Sequence, residues 1–123
     1  MEQEQELAIL ENFRNQMQMC MSYCKQAKDT IMQDSNDEAK CLAKLMMAIH
    51  YLSVGKSLYY TYSDFLWRPT LDKLMHKFDV FLGEITNNIN TSHSHQWTDI
   101  EYQNLASCFD YSEVNSQIVH YSD

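Results

Sequence analysis

The chain has 123 residues, is 45% hydrophobic and carries a formal charge of −8, with 9 Lys and Arg against 17 Asp and Glu. That length buries one respectable core, so a single helical domain over 1–123 is expected. The acidic balance opposes a nucleic-acid backbone, which is contacted chiefly by Lys and Arg, and no apolar run is long enough for a membrane span.

Two Gly and one Pro are too few for the frequent turns of a sandwich or barrel, so long helices with few connections are expected. From about Glu2 to Gln33, the positions Leu7, Leu10, Phe13, Met17, Cys20, Cys24, Ala27 and Ile31 step by three or four, which predicts a long amphipathic helix. Its spacing is close to a heptad seam, so it suits packing inside the domain or a homodimer through a second copy of itself. Asp34-Ser35-Asn36-Asp37-Glu38 is the clearest punctuation in the chain. Ser35 followed by Glu38 has the spacing of a capping box, which predicts a second helix over about 36–66, antiparallel to the first. Within it Ala39, Leu42, Ala43, Met46, Ile49, Ser53 and Leu58 recur near the helical period. Leu45, Met47, Tyr51, Leu52, Val54 and Tyr59 add apolar groups on the other sides, and such an all-round pattern predicts the central helix of a bundle.

Pro69 stops that helix, because the residue before a proline is pushed out of helical geometry, and it fits the first turn of the next. Leu71, Leu74, Met75, Phe78, Phe81, Leu82, Ile85 and Ile89 predict a helix over about 69–88, with Gly83 a mild penalty or a close-packing point. The stretch from Asn87 to Gln96 is rich in Asn, Ser and His and predicts one long exposed loop. Thr98 and Glu101 repeat the capping-box spacing, and Ile100, Leu105, Cys108 and Phe109 predict a shorter helix over about 98–115 with a frayed tail beyond it. The expected fold class is all-α: an up-down bundle of three long helices plus a shorter C-terminal helix.

Cys20, Cys24, Cys41 and Cys108 all fall within amphipathic runs and read as small core hydrophobes. No basic region followed by an apolar run opens the sequence, so a cytoplasmic or nuclear location with reduced thiols is expected rather than secretion. Cys20 and Cys24 lie one helical turn apart, as a zinc half-site requires, with Cys41, Cys108, His50 or His93 as candidates for the remaining ligands. The same spacing is that of the core stripe, and His93 and His95 have no neighbouring thiol or carboxylate motif, so no metal is expected. His50 and His76 fall in no metalloprotease pattern. Gly55-Lys56-Ser57 has the ending of a phosphate-binding loop, but His50 stands where its earlier Gly belongs. Asn90-Thr91-Ser92 is a glycosylation triplet in a chain not expected to be secreted. With no nucleophile elbow, Gly-rich dinucleotide turn or paired-carboxylate constellation, no catalytic residue and no cofactor can be assigned, and an enzyme is not expected.

The remaining candidate is aromatic: Tyr59, Tyr60, Tyr62, Phe65 and Trp67, flanked by Arg68. At helical spacing Tyr59, Tyr62 and Phe65 share a face, so Tyr60 and Trp67 must point elsewhere. The cluster therefore either caps the bundle end or anchors a protein partner, since Tyr, Trp and Arg are the residue types most often found as interface anchors. The acidic segment around Asp110, Tyr111, Ser112 and Glu113 is a second candidate that could dock on a basic partner, but it reads rather as solvated surface. The run Ala48-Ile49-His50-Tyr51-Leu52, with Ser57 and Leu58, resembles the helical hairpins of tetratricopeptide-like adaptor domains. It covers less than a third of the chain with residues any buried helix would use, so no family follows from it. The expected function is a non-enzymatic helical protein–protein interaction module, an adaptor or scaffold subunit. The alternative is a small acidic inhibitor of viral or mobile-element type that covers a basic functional surface of its target.

Overall fold

The structure is a computed structural model that describes residues 2–33, 37–91, 95–112 and 114. Among them every regular element is helical: α1 (Gln3–Gln33), α2 (Glu38–Thr61), a single turn α3 (Ser63–Leu66), α4 (Pro69–Thr91) and α5 (His95–Asp110). The protein is all-α.

Helix α1 buries the stripe its sequence marks, with Phe13, Met17, Cys20, Cys24, Ala27 and Ile31 at or near zero exposure. Its neighbour α2 runs antiparallel, as the pairings show. Phe13 stacks on Tyr59, Tyr23 stacks on Tyr51, and the Cys41 thiol donates to the Ala27 carbonyl at 3.4 Å. At Gly55 a Cβ would meet the Met17 methyl, so the glycine of the Gly55-Lys56-Ser57 run serves close helix packing. The adjacent Lys56 ammonium reaches both Asp79 oxygens, at 2.7 and 2.8 Å, which ties α2 to α4.

The expected central position of α2 is not what the structure has. Its buried face is Cys41, Leu45, Ala48, Leu52, Gly55 and Tyr59, and it packs chiefly on α1. The competing stripe, Ala39, Leu42, Ala43, Met46, Ile49 and Ser53, is exposed along its whole length. Apolar periodicity records how many faces want cover but not which face the chain itself covers. Helix α2 touches α1, α3 and α4 yet leaves this stripe uncovered, while α1 packs on α2 and on α5. The near-heptad seam of α1 is thereby covered within the chain and is not free for a second copy.

The boundaries also differ from expectation. Helix α2 starts at Glu38 with Asp37 as its cap, the Asp37 carboxylate accepting from the Lys40 amide at 3.1 Å; Ser35 lies outside the described residues. The helix expected to run to 66 breaks at Tyr62 and resumes as α3 for one turn. Pro69 begins α4 as expected, and Leu71, Leu74, Met75, Phe78, Phe81, Leu82 and Ile85 are all buried.

The largest correction concerns the polar stretch 87–96. Helix α4 continues to Thr91 and α5 starts at His95, leaving only 92–94, with His93, outside the described residues. Asn88 and Thr98 are buried and face each other, the Asn88 amide donating to the Thr98 hydroxyl at 2.8 Å, with His95 Nδ1 3.0 Å from the same amide nitrogen. A buried hydrogen bond between two helices can hold helix where Asn, Ser and His alone would favour a loop. Thr98 consequently lies inside α5 and is no cap.

The shorter C-terminal helix, α5, ends at Asp110 rather than near 115. The segment after it is not wholly solvated surface: Ser112 and Val114 are buried, and the Val114 carbonyl accepts from the Gln18 amide of α1 at 3.0 Å. Tyr111 remains outward at 86% exposure, and Glu113 lies outside the described residues, as does the tail expected to fray. No helix among the described residues is long and apolar enough to cross a membrane.

Gly83 proves not to be a close-packing point, because nothing approaches within 4 Å of a Cβ built there. Gly83→Ala should therefore stabilise the protein by about 0.5–1 kcal/mol through helix propensity alone. A urea midpoint that rises at unchanged slope is the expected readout, and a fall would show hidden crowding on that face.

Candidate functional site

The chain reverses between α2 and α4 by breaking twice. Tyr62 leaves helical geometry at the end of α2, and Trp67 (φ −59°, ψ 131°) is extended before Arg68 and Pro69. The site residues Tyr59, Tyr60, Tyr62, Phe65, Trp67 and Arg68 are thus drawn into one corner, but they divide between core and surface. Tyr59 is fully buried, stacked on Phe13. Its hydroxyl donates to Asp72 Oδ1 at 2.7 Å, and burial together with that carboxylate pushes its pKa up to about 12. Asp72 uses its other oxygen to accept from the Trp67 indole at 2.9 Å. One carboxylate on the first turn of α4 thereby fixes an inward and an outward aromatic together.

Trp67 itself is 51% exposed and Tyr60 is 66% exposed. Tyr62 and Phe65 are half-buried and tilted against each other, with centroids 6.2 Å apart, while Leu66 fills the core beneath them. The Arg68 guanidinium folds back to donate to the carbonyls of Phe65 and Trp67 at 3.0 and 2.9 Å. The corner is flanked by two recesses. One, of about 70 Å³, lies between Leu10, Arg14, Phe65 and Arg68; the other, of about 410 Å³, is open and lined by Gln5, Ala8, Ile9 and Tyr62. The corner is therefore partly a cap, through Tyr59 and Leu66, and partly an outward surface, through Tyr60 and Trp67.

Tyr60 also continues a second exposed feature. On α2 it follows Ala39, Leu42, Met46, Ile49 and Ser53 at alternating steps of three and four, interrupted only by Lys56. Leu42, Met46 and Ile49 are 46%, 64% and 45% exposed. The apolar stripe of α2 thus runs into the aromatic corner.

Buried polar groups were the part of the interior that sequence reasoning missed. Arg14 sits at 1% exposure within α1, beside Phe13, and Asn88 and Thr98 join α4 to α5. Tyr102 was missed too; it lies edge-on to Phe81 with the Lys28 ammonium 4.7 Å above its ring. Only the first was hard to see in principle. Position 102 stands one turn before Leu105 and could have been placed on the α5 stripe.

Cys20 and Cys24 lie together on the buried face of α1. The Cys24 thiol is held well above its ordinary pKa by its hydrogen bond with Cys20 and by burial, and Cys41 is raised to about 11 by burial and by Glu38. Among the described residues no three His, Cys, Asp or Glu side chains converge as a metal site. Cys108 is half-buried in a groove of about 370 Å³ with Lys73 and Lys77; burial raises its pKa against the pull of those two ammoniums. Alkylation of the native protein at neutral pH should therefore reach Cys108 first, with Cys20, Cys24 and Cys41 reacting only on unfolding. Four thiols titrating in the denatured, unreduced protein complete the expected pattern, and a missing pair would reveal a disulfide. Compared with protein-family models, curated proteins and solved structures, the chain matches none.

Proposed function

We propose that the protein is a non-enzymatic helical interaction module, an adaptor or scaffold subunit, that engages a protein partner through the outward half of the Tyr59–Arg68 corner. Its helices are arranged as an up-down bundle in this reading. That order is supported by antiparallel pairing of α1 with α2 and by the contacts Lys56 with Asp79, Phe81 with Tyr102, and Lys28 with Tyr102. It acts in the cytoplasm or nucleus, where four unpaired thiols stay reduced.

The observation that carries the proposal is the exposure of Tyr60 and Trp67 on a pinned corner, continuous with an exposed apolar stripe. A contiguous outward patch of this kind marks contact sites more often than scattered single residues do. Trp67 is held by Asp72 and Arg68 is folded onto the backbone, so the surface is already ordered before a partner arrives. Preordering lowers the entropy that binding must overcome.

The test is capture of partners from the native host at low and at high salt. Anchoring through aromatic groups should survive about 0.5 M salt, whereas an acidic inhibitor lying on a basic surface should be released as the charges are screened. Release would move the assignment to the inhibitor reading, with the charge of −8 as its basis.

A further inference from the structure

We infer that a second copy of this chain covers the exposed face of α2, forming an antiparallel, two-fold symmetric helix pair. This rests on the interaction-module reading and names one occupant for the helix face, leaving Trp67 open for a different protein.

The exposed arc of α2 consists of Ala39, Leu42, Ala43, Met46, Ile49, His50, Ser53 and Ser57, none of which carries a charge with His neutral. Of the charged residues of this helix, Lys44 lies over the Tyr23 ring and Lys40 is off the arc, while Glu38 and Lys56 border it at its two ends, Lys56 already paired with Asp79. In a two-fold contact a surface meets itself, so any charge in it would come close to its own copy. A face free of charge lets two copies of a −8 molecule meet without that penalty. By contrast α1 exposes Glu4 and Lys25, and α4 exposes Asp72, Lys73 and Asp79.

The spacing also fits itself. Ala39, Met46 and Ser53 repeat every seven residues, as do Leu42 and Ile49, which is the pattern of a coiled-coil seam. With the two-fold axis between residues 46 and 49, Met46 of one copy meets Ile49 of the other, Leu42 meets Ser53, and Ala39 meets the stem of Lys56, whose ammonium is held by Asp79 of its own chain. Large residues oppose smaller ones at both ends, and the aromatic corner lies beyond the overlap. About ten residues a side is roughly half of a standard interface, so the dimer should have micromolar rather than nanomolar affinity.

Sedimentation of the full chain across protein concentrations tests this. A monomer–dimer equilibrium is expected, strengthening as salt is raised from about 0.1 to about 1 M, because screening removes the repulsion between two acidic molecules and leaves the apolar contact. Ile49→Glu should weaken the dimer by about tenfold or more while preserving helicity and melting, since the position is exposed. Asn15→Glu, the same charge change on an exposed position of α1, should leave it intact. A protein that stays monomeric at several hundred micromolar overturns the inference. So does a dimer that dissociates in salt, or one indifferent to Ile49→Glu. Trp67→Ala, which tests the partner reading, should not alter the dimer, so either proposal can fail without the other.

Discussion

Phe13→Ala should cost about 3–5 kcal/mol of stability, the largest loss expected from any single truncation considered for this chain. Phe13 is completely buried on α1, and its ring lies 5.8 Å from that of Tyr59 at an interplanar angle of 24°. Removing it leaves a cavity at the level where the α2–α4 reversal is tied to α1, and Tyr59 loses its stacking partner. Against a total stability of about 5–15 kcal/mol, such a loss brings the protein close to unfolding at ambient temperature. Tyr59→Phe is the milder comparison. It keeps the ring and deletes the hydroxyl bond to Asp72, for an expected cost of about 1–2 kcal/mol. Urea unfolding monitored by helicity measures both. If Phe13→Ala cost less than about 1 kcal/mol, the corner would not be joined to α1 in the way the ring stack implies.

How far the fold was legible depended on how many apolar stripes a helix carries. Helices α1 and α4 carry one each, and the residues so marked, from Phe13 to Ile31 and from Leu71 to Ile85, are the buried ones. Helix α2 carries two. Cys41, Leu45, Ala48, Leu52 and Tyr59 form one, and Ala39, Leu42, Met46, Ile49 and Ser53 the other. Choosing between them requires knowing that Gly55 and Ala48 let α1 approach closely, a property of the pair of helices rather than of either. The polar stretch after Asn87 was misread for a different reason. Local propensity favours a turn there, but the Asn88 amide reaches the Thr98 hydroxyl only once α4 and α5 are side by side.

The candidate site was legible as a cluster but not as an arrangement. Helical spacing correctly sends Tyr60 and Trp67 away from Tyr59, yet it treats the segment as one continuous helix and has no means of seeing the break at Tyr62. Nor could it assign Asp72 a part, because that residue lies beyond the proline on the next helix. The carboxylate is what converts a run of aromatics into a fixed surface, by accepting from the Tyr59 hydroxyl and the Trp67 indole at once.

Trp67→Ala is the variant on which the functional reading stands. Trp67 is half exposed, so truncation removes only part of the apolar burial that a core tryptophan provides, together with one hydrogen bond to an exposed carboxylate that keeps Tyr59. A stability loss of about 1 kcal/mol is expected, well below the roughly 3–5 kcal/mol for a fully buried aromatic. Partner binding should fall by about 2 kcal/mol or more, roughly thirtyfold, because a preordered tryptophan at the centre of a contact contributes far more than its neighbours. Thermal unfolding and quantitative partner capture on the same variant separate the two effects. A sharp drop in melting temperature with capture unchanged would make Trp67 a cap over Leu66 and the α1–α4 core, and the aromatic corner would no longer be where the protein meets its partner.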